Sequence, residues 1–388
     1  MVSKCALKEI YRQKILVRIL IVYPHQKSRS SDLDFLFVNL NKSLLTISFH
    51  NAIIKRLRNT KERTEMKLKT KLLLSSAAAV GSVYGICTLI DQLLFNRKVV
   101  VPEKLKKKVS DCDTSHLGNV LASNLQFVED YGYERHYICS DRGEKLTGYL
   151  LKSKEPSDIY AFGVHGYRSW GKKEFCGFAK YYLENGINLF FPDHIASGES
   201  EGTHCSFGYY EKEDCLKWLT YLTDNFGKDI KIFLHGISMG CATVCMMSER
   251  DELPSNVKFI ISDCGFTTAK ELFSFKLKEL GISPKPIYTA ANLTHKINCG
   301  YGFDDIAPEE SVRRAKVPML FVHGDDDKLV PSFMVHTLYE NCSAEYKDLL
   351  LVPGADHAQS HKVWAEQYED KINEFIEKFI KTEITENS

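Results

Sequence analysis

The pentapeptide Gly236-Ile237-Ser238-Met239-Gly240 contains the residue types that nucleophilic catalysis requires. Its G-x-S-x-G pattern is typical of a nucleophile elbow, a sharp turn between a strand and a helix that exposes a serine hydroxyl. Glycines are needed on both sides because the serine backbone is strained and a helix passes close by. The same pattern also occurs in ordinary Gly-Ser turns, so its meaning depends on the neighbouring elements.

The segments on either side of Ser238 agree with an elbow. The apolar run 230–234 predicts a strand, and the good helix formers of 242–247 predict a helix. A serine hydroxyl is a poor nucleophile, so the chain must also supply a base and a carboxylate that orients the base.

Two loops that follow predicted strands supply these groups. The predicted strand 317–322 leads into His323-Gly324-Asp325-Asp326-Asp327, and the predicted strand 349–352 leads into Pro353-Gly354-Ala355-Asp356-His357. Both candidates therefore lie just beyond the carboxyl ends of strands, where open α/β sheets place their sites.

With these motifs the chain from about Tyr133 to Ile380 resembles the α/β-hydrolases, and in particular bacterial serine hydrolases of the prolyl-oligopeptidase-like and esterase groups. The H-G-x-x-D-x-x-V-P signature of that family falls on His323, Gly324, Asp327, Val330 and Pro331, and its closing G-x-x-H falls on Gly354 and His357. The chain order of serine, acid and histidine is also that of the family. The resemblance implies that Ser238 is the nucleophile, Asp327 the acid and His357 the base.

Three other aspartates compete with Asp327 for the position of the acid. We expect Asp325 and Asp326 to shape the turn and to face water. Asp263 follows the predicted strand 259–262 and is a rival because some relatives place their acid there.

An acyl-transfer enzyme also needs hydrogen-bond donors for the developing oxyanion, and losing one donor costs about two to three powers of ten in rate. The backbone amide after the nucleophile, that of Met239, is one predicted donor. By resemblance to the H-G-x loop of the family, the amide of Tyr167 in His165-Gly166-Tyr167 is the other. We expect His165 to be a buried structural histidine, and His235 and His323 to pack beneath the site.

The resemblance implies an α/β-hydrolase fold, with a mostly parallel central sheet, helices on both faces and a small helical lid insertion at about 264–308. The insertion predicts a helix from about Ala269 to Leu280, a break at Pro284 and Pro286, and a helical stretch near 288–296. We expect Tyr167, Phe266 and Phe273 to contact the substrate. The alternative is that the insertion only packs on the edge of the sheet.

One family motif is altered in this chain. Relatives carry D-x-R-G-H-G-x-S-x-G, whereas this chain has Asp193 followed by His-Ile-Ala-Ser-Gly-Glu-Ser-Glu-Gly. The frame of Gly198, Ser200 and Gly202 survives, but the loss of the Arg-Gly-His core leaves the packing around Asp193 open.

Composition limits the other possibilities. A length of 388 residues with 44% hydrophobic residues suits one large domain with an extension. The formal net charge of +1 gives no reason to expect a nucleic-acid partner. The sequence has no P-loop, C-x-x-C or H-E-x-x-H motif, so we expect no nucleotide cofactor and no metal. The twelve cysteines are without paired spacing and indicate a reducing compartment only modestly.

The N-terminal third differs in composition from the rest. Residues 1–65 carry thirteen Lys and Arg against five Asp and Glu and predict a basic, poorly structured extension. The basic segment 66–71 then precedes nineteen uncharged residues from Leu72 to Ile90. This favours a signal anchor or single transmembrane helix within 66–98, followed by a linker and helical lead-in over 99–132 and the catalytic domain over 133–388. A signal peptide cleaved near 77–79 and a buried helix are the alternatives.

The basic residues on the two sides of this helix give a weak orientation. Those upstream lie closer to the apolar run than those of 97–108, which favours a catalytic domain outside the cytoplasm. A further hypothesis is that residues 1–65 are an upstream extension that is not part of the natural protein, because Met66 begins a more usual membrane-targeting sequence.

Together these features predict a membrane-tethered serine hydrolase that cleaves a small-molecule ester, thioester or amide. A peptidase of the prolyl-oligopeptidase-like type, a lysophospholipase and a catalytically silent binding module are the alternatives. The presence of all three triad residue types disfavours the silent module, and a serine at the elbow disfavours dehalogenases and epoxide hydrolases, which use an aspartate there. Substrate identity and oligomeric state do not follow from the sequence.

Overall fold

The computed structural model describes residues 68–97 and 115–382. The chain divides into two compact units, of which one comprises Cys112–Phe273 with Asp304–Ser388 and the other Met1–Asp111 with Ser274–Phe303. The predicted extension 1–65 and residues 99–114 of the predicted linker and lead-in lie outside the described residues. We call the unit of Cys112–Phe273 with Asp304–Ser388 the sheet unit, and the other the helix-pair unit.

The described elements alternate between strands and helices over most of the chain. The strands are β1 (Glu134–Cys139), β2 (Lys145–Leu151), β3 (Ile159–Val164), β4 (Asn188–Pro192), β5 (Lys231–Ile237), β6 (Val257–Asp263), β7 (Met319–Gly324) and β8 (Lys347–Val352). The α-helices are α1 (Leu68–Phe95), α2 (Ser115–Tyr131), α3 (Gly171–Glu184), α4 (Glu211–Phe226), α5 (Met239–Met247), α6 (Ala269–Glu279), α7 (Pro284–Cys299), α8 (Pro308–Val312), α9 (Phe333–Asn341), α10 (Ser360–Val363) and α11 (Ala365–Ile376). A short 3-10 helix (Phe303–Asp305) and a final π-helical turn (Glu377–Lys381) complete the list.

The sheet unit contains one sheet of eight strands in the order β1-β2-β4-β3-β5-β6-β7-β8. Strand β2 pairs antiparallel with both β1 and β4, and every pair from β4 to β8 is parallel. The parallel strands direct their carboxyl ends to one edge of the sheet, which is where the candidate side chains stand. The predicted mostly parallel sheet is confirmed.

Both faces of the sheet are buried, which explains why its central strands have nearly continuous apolar sequences. Successive residues of a strand point to opposite faces. In β5, Ile232 and Leu234 pack with α4 and α5 in one core, whereas Phe233 packs with α3 and α11 in the other. Helices therefore cover the sheet on both sides, as predicted.

The helix-pair unit contains α1 and α7. The predicted break between the two helices of the insertion lies between Glu279 and Pro284, but its predicted position at Pro284 and Pro286 is wrong, because both prolines belong to the first turn of α7. Proline is well tolerated there, since the first amides of a helix have no intrahelical partner to lose. At the other end, Gly300 ends α7 with φ 84°, in the left-handed region that glycine adopts readily.

Candidate active site

The turn between β5 and α5 has the strained backbone of an elbow. Ser238 adopts φ 58° and ψ −114°, an unfavourable conformation for a residue with a side chain. A Cβ placed at Gly240 would lie 1.8 Å from the carbonyl oxygen of Val164, and one at Gly236 would lie 2.4 Å from the carbonyl oxygen of Gly240. Only glycine therefore fits on either side of the serine, as predicted.

Three side chains that are far apart in sequence meet at this turn. The Nε2 atom of His357 lies 2.8 Å from the Oγ atom of Ser238, and its Nδ1 atom lies 2.7 Å from the Oδ2 atom of Asp327. The imidazole and the carboxylate are both buried, whereas Ser238 is half-buried. A hydroxyl is thus in contact with a base whose other nitrogen is held by a buried acid.

Asp327 is bound on both of its carboxylate oxygens. Oδ1 accepts hydrogen bonds from the amides of Leu329 and Val330, each at 2.8 Å. Oδ2 lies 3.3 Å from Nε2 of His323, in addition to its contact with His357. The same Nε2 also lies 2.9 Å from the carbonyl oxygen of Val330. Burial by itself would raise the pKa of Asp327, but the hydrogen bonds and charges of His323 and His357 outweigh it and hold this pKa well below its usual range. The acid therefore stays ionised.

The other three aspartates have different partners. Asp325 accepts a hydrogen bond from the amide of Gly354 at 2.7 Å, and exposed Asp326 pairs with Lys328 at 2.6 Å. Asp263, at the end of β6, is buried and accepts a hydrogen bond from the hydroxyl of Tyr368 at 3.0 Å. Of the four aspartates, Asp327 is the one that contacts the imidazole of His357 by a hydrogen bond.

The histidines beside the triad have structural contacts. His165 is fully buried, its Nδ1 lies 2.8 Å from the carbonyl oxygen of Gly166, and its Nε2 accepts a hydrogen bond from the amide of His194 at 3.0 Å. Burial lowers its pKa, so it remains neutral in this arrangement. His235 bridges the hydroxyls of Tyr182 and Tyr368 at 2.8 and 3.0 Å, and burial lowers its pKa to about 3.

The loop after β3 lies against the elbow. A Cβ placed at Gly166 would lie 3.3 Å from both the Cβ atom of Ser238 and the carbonyl oxygen of Ile237. Tyr167 follows directly, so its amide belongs to the loop that faces the nucleophile. Met239 is the first residue of α5, where helix amides have no intrahelical partner. Both predicted oxyanion donors thus belong to backbone beside Ser238.

An aromatic cluster includes the three residues predicted to contact substrate. The ring of Phe207 lies 5.6 Å from that of Tyr167, 5.2 Å from that of Phe266 and 5.5 Å from that of Phe273, centroid to centroid. Phe266 is almost fully buried, whereas Tyr167 and Phe273 are half-buried. Phe207 joins the three predicted residues, and the sequence analysis did not assign it to the site.

The turn that presents Phe207 is fixed by Glu211, another residue that the sequence analysis missed. The buried carboxylate of Glu211 accepts hydrogen bonds from the amides of Ser206 and Gly208, both at 2.8 Å, and from the hydroxyl of Ser206. Phe207 itself has φ 56°. The available signal was an acidic residue in the first turn of a helix just after a Ser-Phe-Gly turn, because such carboxylates bind free amides.

The altered loop around Asp193 is held by hydrogen bonds from its own surroundings. Oδ1 of Asp193 accepts a hydrogen bond from the amide of Gly171 at 2.8 Å, and Oδ2 accepts from the amide of Glu199 at 2.7 Å and the hydroxyl of Tyr149 at 3.1 Å. Gly198 has φ 48°, and a Cβ there would lie 1.8 Å from Oδ2 of Asp193. The retained glycine thus packs against the aspartate, although the Arg-Gly-His core is absent.

Parts of the chain are similar in sequence to known proteins. A family described as "alpha/beta hydrolase fold" matches residues 164–285. YqkD, an uncharacterized protein of Bacillus subtilis, is 24% identical over 308 residues, which cover 79% of this chain and 97% of YqkD. YNL320W, an uncharacterized membrane protein of Saccharomyces cerevisiae, is 22% identical over 200 residues, which cover 50% of this chain and 63% of that protein.

Solved structures agree with the family match. The esterase Pf2001 of Pyrococcus furiosus superposes with a TM-score of 0.52 at 21% identity, covering 64% of this chain and 93% of the esterase. The alpha/beta hydrolase GrgF from Penicillium sp. sh18 superposes with a TM-score of 0.51 at 15% identity, covering 64% of this chain and 99% of GrgF. The chain therefore has the α/β-hydrolase fold, and the predicted resemblance to that superfamily is confirmed.

Proposed function

We propose that the protein is a serine hydrolase that cleaves a carboxylic ester, or the related thioester or amide, through an acyl-enzyme. The observation that carries the proposal is the continuous contact from Ser238 through His357 to Asp327, at 2.8 and 2.7 Å. A serine so placed at a strained turn, with a base and an ionised acid in line, has the arrangement that activates a hydroxyl.

The reaction follows from these contacts. The Oγ atom of Ser238 attacks the carbonyl carbon of the substrate while its proton moves to Nε2 of His357. Asp327 accepts the hydrogen bond of Nδ1–H, which fixes the tautomer and stabilises the imidazolium. The tetrahedral intermediate then breaks its bond to the leaving group, which receives the proton from His357. Water attacks the acyl-enzyme by the same route and releases the acid and free Ser238.

The amides of Met239 and Tyr167 are proposed to bind the oxyanion of the intermediate. Their position in backbone next to Ser238 supports this, because an oxyanion donor must be fixed before the charge develops. The aromatic cluster of Tyr167, Phe207, Phe266 and Phe273 favours an apolar acyl group. Burial raises the pKa of the Tyr167 phenol, so this side chain stays uncharged beside the nucleophile.

A fluorophosphonate probe, which labels activated serines, tests this proposal. We expect the purified full-length protein to be labelled, Ser238→Ala to lose the label, and Ser248→Ala to keep it. Ser248 is a suitable control because it is a buried serine one residue beyond the same helix, where its hydroxyl bonds the carbonyl of Cys245 at 2.7 Å. Absence of labelling in protein that is folded by circular dichroism would instead favour a catalytically silent binding module.

We further propose that α1 tethers the protein to a membrane, with one pass and the sheet unit outside the cytoplasm. Within the described ranges one helix segment, Ser76–Phe95, is long and apolar enough to cross a bilayer. Its 20 residues span about 30 Å at the rise of an α-helix, which matches the hydrocarbon thickness. The membrane protein of yeast named above adds support. Resistance of the protein to alkaline carbonate extraction would support the tether, and full release would contradict it.

A further inference from the structure

The second half of α1 is paired with α7 by polar side chains. The hydroxyl of Tyr84 donates to Oδ1 of Asn298 at 2.6 Å, and Nδ2 of Asn298 donates to the hydroxyl of Thr88 at 3.3 Å. One helical turn further on, the carboxyl group of Asp91 contacts Nδ1 of His295 by a hydrogen bond. Position 298 faces 84 and 88 while 295 faces 91, so the two helices run antiparallel.

This contact lies within the segment proposed to cross the membrane. Tyr84, Thr88 and Asp91 all belong to the apolar span Ser76–Phe95. Asp91 and His295 are both buried. Polar side chains inside a bilayer are costly unless they bind one another, and hydrogen bonds between helices are one way to meet that need. The last turns of α7 therefore lie beside the second half of the apolar span.

The outward face of α7 carries two large apolar side chains where it accompanies α1, next to the exposed polar residues Lys296 and Asn298. Leu293 and Ile297 are 59% and 63% exposed, and their spacing of four residues places them on one face of the helix. On α1 the exposed large apolar side chains are Val80, Val83, Tyr84, Ile86 and Leu89. Seven of the eleven large apolar side chains exposed in the described part of the chain thus lie on these two helices.

The charges near this face are compatible with a bilayer. Lys296 is exposed between Leu293 and Ile297. A lysine can lay its aliphatic stem along apolar surroundings and extend its ammonium group to the headgroups. Helix α7 has 16 residues and is capped by Gly300. A helix of this length is too short to cross the whole bilayer.

We propose that the last turns of α7 enter the hydrocarbon layer beside α1, with Leu293 and Ile297 facing acyl chains. The occupant of this apolar face is the lipid bilayer. The inference rests on the proposed tether by α1 and is independent of the proposed hydrolysis. Its consequence is that the membrane contact consists of a helix pair, one member crossing and the other inserted part of the way.

Tryptophan substitutions with brominated phospholipids test this directly. The full chain is reconstituted in vesicles of phosphatidylcholine with bromine on the acyl chains. The tryptophan fluorescence of each single-substitution variant is measured, and that of the wild type is subtracted to remove the signal of the native tryptophans. Leu293→Trp and Ile297→Trp should each lose at least half of the added emission, because acyl-chain bromine quenches only rings at that depth. Val363→Trp is the matched control, since Val363 is an exposed apolar residue of the sheet unit at 45%, and it should keep its emission.

Val83→Trp, on the exposed part of α1, separates the two proposals. Quenching at position 83 without quenching at 293 and 297 would overturn the insertion of α7 while leaving the tether intact, and would favour a protein partner on that face. No quenching at any of the three positions would overturn both. Fluorophosphonate labelling of each variant, measured in parallel, shows whether the sheet unit remains folded and whether the proposed hydrolysis survives.

Discussion

Two buried carboxyl groups stand at the ends of the neighbouring strands β6 and β7, and they differ in how many donors reach them. Asp327 receives two amides and lies within ion-pair distance of two imidazoles. Asp263 receives the hydroxyl of Tyr368 on Oδ2, and its Oδ1 has no partner among the described groups. Burial raises the pKa of Asp263 to about 7, whereas that of Asp327 is held well below its usual range.

The difference indicates that donors, rather than position at the sheet edge, decide which of the two carboxyl groups stays ionised and can serve as the proposed acid. Both residues follow parallel strands that pair with each other, and both are buried. An imidazolium is stabilised by a partner that is ionised at the working pH. Asp327 meets this condition over a wide pH range, and Asp263 meets it only when the pH is near or above its raised pKa.

Replacing the acid itself should give the largest effect. Asp327→Asn keeps the shape of the side chain but removes its charge, so we expect kcat to fall by about 10³- to 10⁴-fold. Asp263→Asn keeps the backbone and should change kcat by less than about fivefold, because the Asp263 carboxyl group is hydrogen-bonded to Tyr368 rather than to His357. Hydrolysis of a p-nitrophenyl ester measures both. Equal losses of kcat in the two variants would contradict the proposed role of Asp327 as the acid.

Removing a donor from Asp327 should have a smaller effect. His323→Leu deletes the buried imidazole that contacts Oδ2, so the pKa of Asp327 should rise and the acid limb of the pH–rate profile should move to higher pH. We expect kcat to fall by about tenfold, the worth of one hydrogen bond to a charged group. His323→Gln, which can still donate from its amide nitrogen, should restore most of the activity. Equal profiles for Leu and Gln would show that His323 acts only by packing.

The two carboxyls should also affect stability with opposite dependence on pH. The pKa of Asp263 is near 7 in the folded state and about 3.9 when unfolded, so its contribution to stability is lost as the pH rises from about 4 through 7. The asparagine of Asp263→Asn does not ionise, so this variant does not lose stability in the same way. Its free energy of unfolding relative to that of the wild type should improve by on the order of 3 kcal/mol between pH 4 and pH 8.

Asp327→Asn supplies the matched control with the opposite sign. Because the folded pKa of Asp327 is lowered, its stabilising contribution is present above the unfolded pKa and disappears as the pH falls. This variant should therefore be less stable than wild type at pH 8 and approach it at low pH. Urea unfolding at several pH values measures both variants. Parallel curves for the two would refute the assignment of charge states.

The smallest effect is expected at Tyr368. Tyr368→Phe removes the hydroxyl that donates to Asp263 and should cost about 1 kcal/mol at pH 6, the usual worth of a buried hydrogen bond. The cost should grow at pH 8, where the carboxyl carries its charge. Urea unfolding at these two pH values measures it. A cost that does not change with pH would show that Asp263 stays protonated.

The chemistry-bearing residues could be predicted from the sequence because each stands in a short local pattern. Ser238 lies between obligatory glycines, and Asp327 and His357 follow apolar strands by fixed intervals. The sheet could be predicted for the same reason, since the runs of its central strands are apolar on both faces. That Asp327 rather than Asp263 contacts His357 was predicted from the family signature, not from the physics of either loop.

The remaining features depend on contacts between distant segments. Phe207 joins the aromatic cluster because the loop before α4 comes to the residues after β6, and no local pattern encodes that approach. The pairing of Asp91 with His295 joins positions 204 residues apart. The start of α7 was missed for another reason: Pro284 is equally compatible with a helix break and with a first helical position.

Mass spectrometry of the intact protein during turnover of a p-nitrophenyl ester tests the central claim most directly. We expect a burst of p-nitrophenol equal to the amount of enzyme present, together with one added acyl group on the peptide that contains Ser238. Release of p-nitrophenol by folded protein with the acyl group elsewhere, or unchanged rates in Ser238→Ala, would contradict it.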